Sequence, residues 1–146
     1  MEMFLRNFSH VPDDKVDYLV TPTAKSPIRI AAHTALYAGR FAKMIATKQL
    51  PGGDNVDEWV AQCQAEEKAL TSRAEMEKVF REGTEEVCKA LDSLSPDDVD
   101  LILDSGQGFT FSMSFLMSLP GWHATLHMGQ IDFLQTCWGD QEIYVG

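Results

Sequence analysis

Three separate runs of this chain repeat their apolar residues at the spacing of an α-helix, and that period limits the fold more than any other feature. From Pro27 to about Lys48, residues Ile30, Tyr37, Phe41, Met44 and Ile45 fall on one stripe, and His33 falls on it with them. Ser26-Pro27 opens the run as a helix start, a capping hydroxyl followed by proline at the first helical position. Leu50-Pro51-Gly52-Gly53 closes it. Asp54 or Asn55 serves as the cap of a second run, in which Val56, Trp59, Val60 and Cys63 share a face. Ser72 and Glu75 form a capping-box pattern ahead of Met76, Val79, Phe80, Gly83, Val87 and Leu91, a clean amphipathic stripe. A further helix runs to about Trp138 and stops at Gly139, and Met3, Phe4 and Phe8 predict a short one at the start. Between them, Val11-Pro12-Asp13-Asp14 and Ser95-Pro96-Asp97-Asp98 read as turns, and the stretch to Ser26 as an extended loop. Residues 99–111, with Ser105-Gly106-Gln107-Gly108 at their centre, predict either a small hairpin or an irregular crossing loop. Long amphipathic helices with little strand and no internal repeat predict an all-α helical bundle.

The length, 146 residues, supports one domain over 1–146 with a real core. A net charge of −10 argues against a nucleic-acid partner, which needs clustered positive charge. No apolar run approaches the ~20 residues of a membrane helix, and the opening MEMFLRNFSH has no secretory-signal pattern. Cys63, Cys88 and Cys137 are odd in number and lack a C-x-x-C, so a reducing, cytoplasmic setting is expected. Cys88 and Cys137 sit among apolar neighbours and read as packing residues.

The charge is unevenly placed. Residues 1–53 carry a local +3, residues 54–104 a local −10, and residues 105–146 a local −3 with no Lys or Arg. That last stretch holds four Phe, two Trp and three Met and is expected to be mostly interior. The acidic middle reads as a solvated helical face, away from any site.

The chemistry-bearing residues are three histidines. His123 and His127 stand at i and i+4, so on a helix they leave one face a turn apart. Leu116, Ile131 and Leu134 continue that face, which points it inward, and His33 lies on the inward stripe of another helix. Three neutral imidazoles on two facing helices form a ligand set for Zn²⁺ or a similar divalent ion with one position left open. Burying three imidazoles without a shared purpose would strand polar nitrogens in the core. A zinc-protease reading is excluded because Ala124 stands where H-E-x-x-H needs its glutamate. A di-iron bundle is excluded because no Glu-x-x-His pair is present. Catalysis then rests on a metal with its water or a thiolate, and no catalytic side chain is assigned beyond the weak candidates Tyr37 and Gln130. Tyr37, one turn beyond His33, is a hydrogen-bond donor at the site or, as such tyrosines more often are, core with its hydroxyl at the rim; Gln130, one turn from His127, reads equally as orienting a ligand or water and as a packing amide. Gly129 reads as a point of close helix approach, Arg29 and Arg40 as attractors for an anionic substrate or as surface residues, and His10 as solvent-exposed.

V-P-D-D-K-V-D-Y at 11–18 with T-P-T-A-K-S-P at 21–27, I-A-A-H-T-A-L at 30–36, and H-A-T-L-H-M-G-Q-I at 123–131 with Trp138-Gly139 occur in that order. In these stretches the chain resembles the DinB/YfiT-like family of bacterial metalloproteins over nearly its whole length. The resemblance implies a DinB-like four-helix bundle with a long crossover connection, usually a homodimer. It implies one divalent metal, zinc or nickel with iron as a further option, held by His33, His123 and His127. It also implies thiol-dependent chemistry, with a low-molecular-weight thiol as cosubstrate and a small electrophile as substrate. A coordinated sulfur is deprotonated and becomes a competent nucleophile, which makes that chemistry physically sound. The alternatives are a non-catalytic, metal-stabilised binding or stress-related bundle, and a metal-dependent hydrolase using bound water. Two departures from the family pattern set further expectations. The first helix begins almost at Met1, which predicts a frayed bundle there or an incomplete start. Pro120-Gly121, just before His123, predicts a kink or a restart with Ser118 as cap, either of which tilts His123.

Overall fold

A computed structural model describes residues 2–51 and 55–144. Among the described residues five α-helices carry the fold: α1 (Glu2–Ser9), α2 (Pro27–Thr47), α3 (Val56–Ala69), α4 (Arg73–Asp92) and α5 (Met113–Cys137). Short 3-10 turns occupy Asp13–Lys15 and Pro96–Asp100. Residues 99–111 resolve as the hairpin rather than the irregular loop. Strands β1 (Ile102–Asp104) and β2 (Thr110–Ser112) pair antiparallel with Leu103 opposite Phe111. Gly106 and Gly108 supply the positive φ angles of its turn.

Burial patterns give the directions of the helices. Ile28, Ala31 and Ala35 of α2 share a core cluster with Met76 and Phe80 of α4, while Phe41, Met44 and Ile45 share another with Ala90. Helices α2 and α4 therefore run the same way, and the connection from one to the other has to return along the bundle. This is the long crossover, and α3 lies within it. Helix α5 runs opposite to α2, because Met113, Leu116 and Leu119 pack in the second cluster and Ala124, Met128 and Ile131 in the first. The α1 helix closes the group with Phe4, Leu5 and Phe8 buried, so it is docked rather than frayed.

Ser72 caps α4 by accepting from the Glu75 backbone N–H at 3.4 Å. On the Pro96–Asp100 turn, Asp98 Oδ2 accepts from the Ser95 backbone N–H at 2.8 Å and from the Ser95 hydroxyl at 2.9 Å, a closure the sequence pattern did not single out. Helix α2 ends on Lys48 in the left-handed conformation, φ 56°. The expected Gly52-Gly53 stop and the Asp54 cap lie outside the described residues. Helix α5 is unbroken through Pro120, so the expected restart does not occur. Ser118 Oγ donates to the Phe115 carbonyl instead of capping, and the start is capped by Ser112, which accepts from the Phe115 N–H at 3.1 Å. Burial of Leu116, Leu119 and Pro120 itself holds the turns around the missing hydrogen bond in register.

Three other expectations are corrected. The Lys- and Arg-free end is not mostly interior: Phe109, Phe115, Trp122, Leu126 and Phe133 are exposed, Trp122 and Phe133 at 59% each. A helix that is apolar on every side can bury only the faces its neighbours reach. Cys88 and Cys137 are exposed and only Cys63 is buried. Gly129 meets nothing within 4 Å of an added Cβ, so it makes no close helix approach.

The close approach lies elsewhere. A Cβ on Gly83 would fall 2.7 Å from the Gly39 backbone nitrogen and 2.9 Å from Ala38 Cβ, whereas one on Gly39 meets only Glu86 Oε2 at 3.6 Å. Gly83→Ala should therefore cost about 1–3 kcal/mol in urea unfolding through overpacking. Gly39→Ala should be neutral or stabilise by up to about 1 kcal/mol through helix propensity. Equal effects of the two substitutions would refute this account of the helix crossing.

Candidate metal centre

His33 projects from the second turn of α2, and His123 and His127 from successive turns of α5. The antiparallel packing of the two helices brings them together. His123 Nε2 lies 3.2 Å from His33 Nε2 and 3.1 Å from His127 Nε2. One ligand atom from each of the three residues falls within 4.8 Å of the others. The three rings also pack on one another, with centroids 4.3 to 5.1 Å apart.

The far nitrogens decide what the near ones can do. His33 Nδ1 lies 2.5 Å from Glu67 Oε1, and Glu67 Oε2 takes a bond from Lys25 Nζ at 2.7 Å. Burial alone would raise the Glu67 carboxyl, but the bonds from Lys25 and His33 outweigh it and hold it below the usual range. An ionised carboxylate only accepts, so His33 carries its hydrogen on Nδ1 and presents a bare lone pair at Nε2. His127 Nδ1 is 2.7 Å from Gln130 Oε1, which assigns the same tautomer to it. His123 is positioned by packing, with Tyr37 and Phe41 ring centroids at 5.1 and 5.2 Å.

Lone pairs of His33 and His127 thus both face His123 Nε2, which can donate to at most one of them. Protonation is not the remedy. Desolvation, then the neighbouring His127 and His33, lowers the His123 pKa from 6.5 to about 3. Desolvation likewise lowers His33 and His127. Converging neutral imidazole nitrogens in a half-buried setting are the donor set of a divalent cation, so the residues present fit a bound metal. They do not choose among zinc, nickel and iron.

Two spaces flank the histidines. A cavity of about 410 Å³ beside His33 is lined by Tyr37, Cys63 and Glu67, with Lys25, Arg29 and Lys68 around it. A groove of about 750 Å³ beside His127 is lined by Ile30, Leu126, Phe133 and Leu134, with Lys25 and Gln130 also on its wall. Lys25 borders both.

The other candidate residues take these positions. Tyr37 packs 4.4 Å from the His33 ring and lines the smaller cavity. Arg29 donates to the Glu67 and Leu70 carbonyls, tying the end of α3 to α2. Arg40 pairs with Glu66 at 2.6 Å and lies over the Tyr37 ring. Both arginines are thus engaged with α3 rather than held free for a substrate. His10 is exposed and stacks on Tyr144.

Sequence reasoning missed Glu67 and Lys25, and placed the acidic segment away from the site. Glu67 is one turn beyond Cys63, and the two are the only buried residues of α3. That i, i+4 relation to an inward cysteine was the available signal. Lys25 sits in a loop without periodicity and offered none.

A family model described as the DinB superfamily matches residues 2–131, a span that contains all three histidines. No curated protein matches the chain.

The depressed His123 pKa has a consequence for stability. The unfolded imidazole takes its proton near 6.5 and the folded one near 3, so between those values the unfolded chain binds more protons. This contribution is complete above pH 6.5 and is lost as pH falls toward 3. Metal-free protein should therefore show a urea midpoint that falls from pH 7 to pH 4, and His123→Phe should flatten that fall. Identical pH slopes for the two proteins would show that His123 titrates normally.

Proposed function

The chain belongs to the DinB superfamily, and on that premise we propose that it is a divalent-metal-dependent transferase joining a low-molecular-weight thiol to a small electrophile. The convergence of the His33, His123 and His127 Nε2 atoms carries the metal part of this reading. A divalent ion held there supplies Lewis acidity, which lowers the pKa of a coordinated thiol or water. The chain's own residues do the rest. Glu67 and Gln130 hold the tautomers of His33 and His127, while Tyr37 and Phe41 pack against His123. Lys25 and Arg29 are bonded to Glu67 and to α3 carbonyls, yet with Lys68 they outnumber Glu67 around the adjoining cavity and leave it net positive in a chain whose net charge is −10. That local sign suits an anionic cosubstrate.

Transfer is favoured over hydrolysis by the state of the carboxylate in contact with the histidines. Glu67 is committed through both oxygens, to His33 and to Lys25, and is poorly placed to activate water. A thiol is far more acidic than water, so coordination alone would ionise it and it needs no such base.

Mass spectrometry of untagged protein should find about one divalent ion per chain, and His33→Ala should abolish it. Turnover of a model electrophile should then require bacillithiol or mycothiol. Activity without thiol would establish the hydrolase, and metal-dependent melting without turnover would establish a binding or structural role.

We also propose that the protein is a homodimer closed over α5. Phe115, Trp122, Leu126 and Phe133 are exposed on this helix at steps of seven, four and seven residues, and α5 has no Lys or Arg. A charge-poor apolar stripe of this kind is what an interface between copies buries. Sedimentation should give twice the chain mass, and Trp122→Glu combined with Phe133→Glu should halve it. A monomeric wild type would overturn this part of the reading.

A further inference from the structure

We infer that Glu67 is the positioning residue of the metal centre, and that α3 is held against the bundle so as to bring its carboxylate to His33. The inference rests on the metal-binding part of the function proposed above, not on the thiol chemistry.

Helix α3 is otherwise poorly buried. Asp57, Glu58, Val60, Gln62, Gln64 and Lys68 are exposed, and only Cys63 and Glu67 are buried. Glu67 is the one charged residue among the buried positions of the described chain, at 8% exposure. A buried carboxylate is costly unless both oxygens are satisfied. Here Oε1 meets His33 Nδ1 at 2.5 Å and Oε2 meets Lys25 Nζ at 2.7 Å. The backbone is fixed as well as the side chain, since Arg29 donates to the carbonyls of Glu67 and Leu70. Lys25 and Arg29 lie on either side of the start of α2, eight and four residues before His33. The helix that carries the ligand therefore also anchors the residue that orients it.

What the carboxylate adds is discrimination. A neutral imidazole offers either nitrogen, and only the Nδ1–H form presents a lone pair at Nε2, where His123 and His127 converge. Glu67 can only accept, so it selects that form and turns the ring to suit it. It also makes the imidazole a stronger donor, which is the usual part played by a carboxylate behind a metal-binding histidine. Gln130 serves His127 more weakly, because an amide can present its oxygen or its NH₂ group.

The same property supplies the test. Glu67→Gln keeps the shape but presents either an acceptor or a donor to His33 Nδ1. Glu66→Gln is the control, one residue away on the same helix and paired with Arg40 rather than with a histidine. Zinc ion alone is titrated into each protein in competition with a chromophoric chelator, and ¹⁵N shifts of His33 are recorded in the metal-free proteins. Glu67→Gln should weaken zinc binding about 10–100-fold and convert a single Nδ1–H tautomer of His33 into a mixture. Glu66→Gln should change neither. Zinc affinity within twofold of wild type together with an unchanged tautomer in Glu67→Gln overturns the inference. Equal losses of affinity in both variants also overturn it, because they mark a general weakening of α3. If wild-type protein binds no zinc, the metal reading fails, and the His33 tautomer in Glu67→Gln still decides whether Glu67 selects it.

Discussion

Helices α2 and α4 touch so closely that Gly83 leaves no room for a methyl group beside Ala38 and Gly39. They do so while running in the same direction, and much of the architecture follows from that pairing. Two parallel helices cannot be joined by a tight turn, so the connection between them must travel the length of the bundle. The returning segment folds as α3, and it crosses where α2 carries His33. A glycine contact with no chemistry of its own thus sets the path that delivers Glu67 to a histidine 34 residues earlier in the chain. The α5 helix, antiparallel to α2, then brings His123 and His127 to the same level.

The electrostatics of the centre follow from who can donate. Glu67 is an acceptor with both oxygens in use, and its hold on His33 turns one lone pair inward; Gln130 turns in a second. His123, packed against Tyr37 and Phe41, can answer only one of them. The cluster is therefore short of positive charge at its centre although cationic side chains stand around it. Burial keeps the imidazoles from making up the deficit with protons. A divalent cation meets all three lone pairs at once, which a proton shared among three nitrogens cannot do.

The histidines were legible in the sequence because their information is local. His123 and His127 are one turn apart on a helix whose inward face is marked by Leu116, Ile131 and Leu134, and His33 lies on an equally regular stripe. The bundle was legible for the same reason, in its helical period, while the turn residues of 99–111 narrowed that stretch only to a hairpin or a crossing loop. Glu67 was not, because it is one of fifteen acidic residues between 54 and 104 and its burial depends on the path of the crossover. The fate of Pro120 depended likewise on packing around it. Gly129 shows the converse: a glycine beside a ligand suggested close approach, but the approach occurs at Gly83, where the sequence shows only one more small residue in an amphipathic run.

The exposed aromatics of α5 show why composition misleads where periodicity does not. Counting Phe, Trp and Met over residues 105–146 predicts burial, but a count carries no direction. Helix α5 has apolar residues all round, with Asp132 its only charged side chain, so its pattern does not say which face is inside. Its contacts with α1 and α2 take the face that carries Leu116, Ala124, Ile131 and Leu134, leaving Trp122, Leu126 and Phe133 outward. Leu126 and Phe133 also wall the groove beside His127. A second copy seated on that face would border the space through which a ligand reaches the histidines. Under the dimer proposed above, assembly and access to the site would be linked through the same two side chains, and a substitution at either should be judged on both.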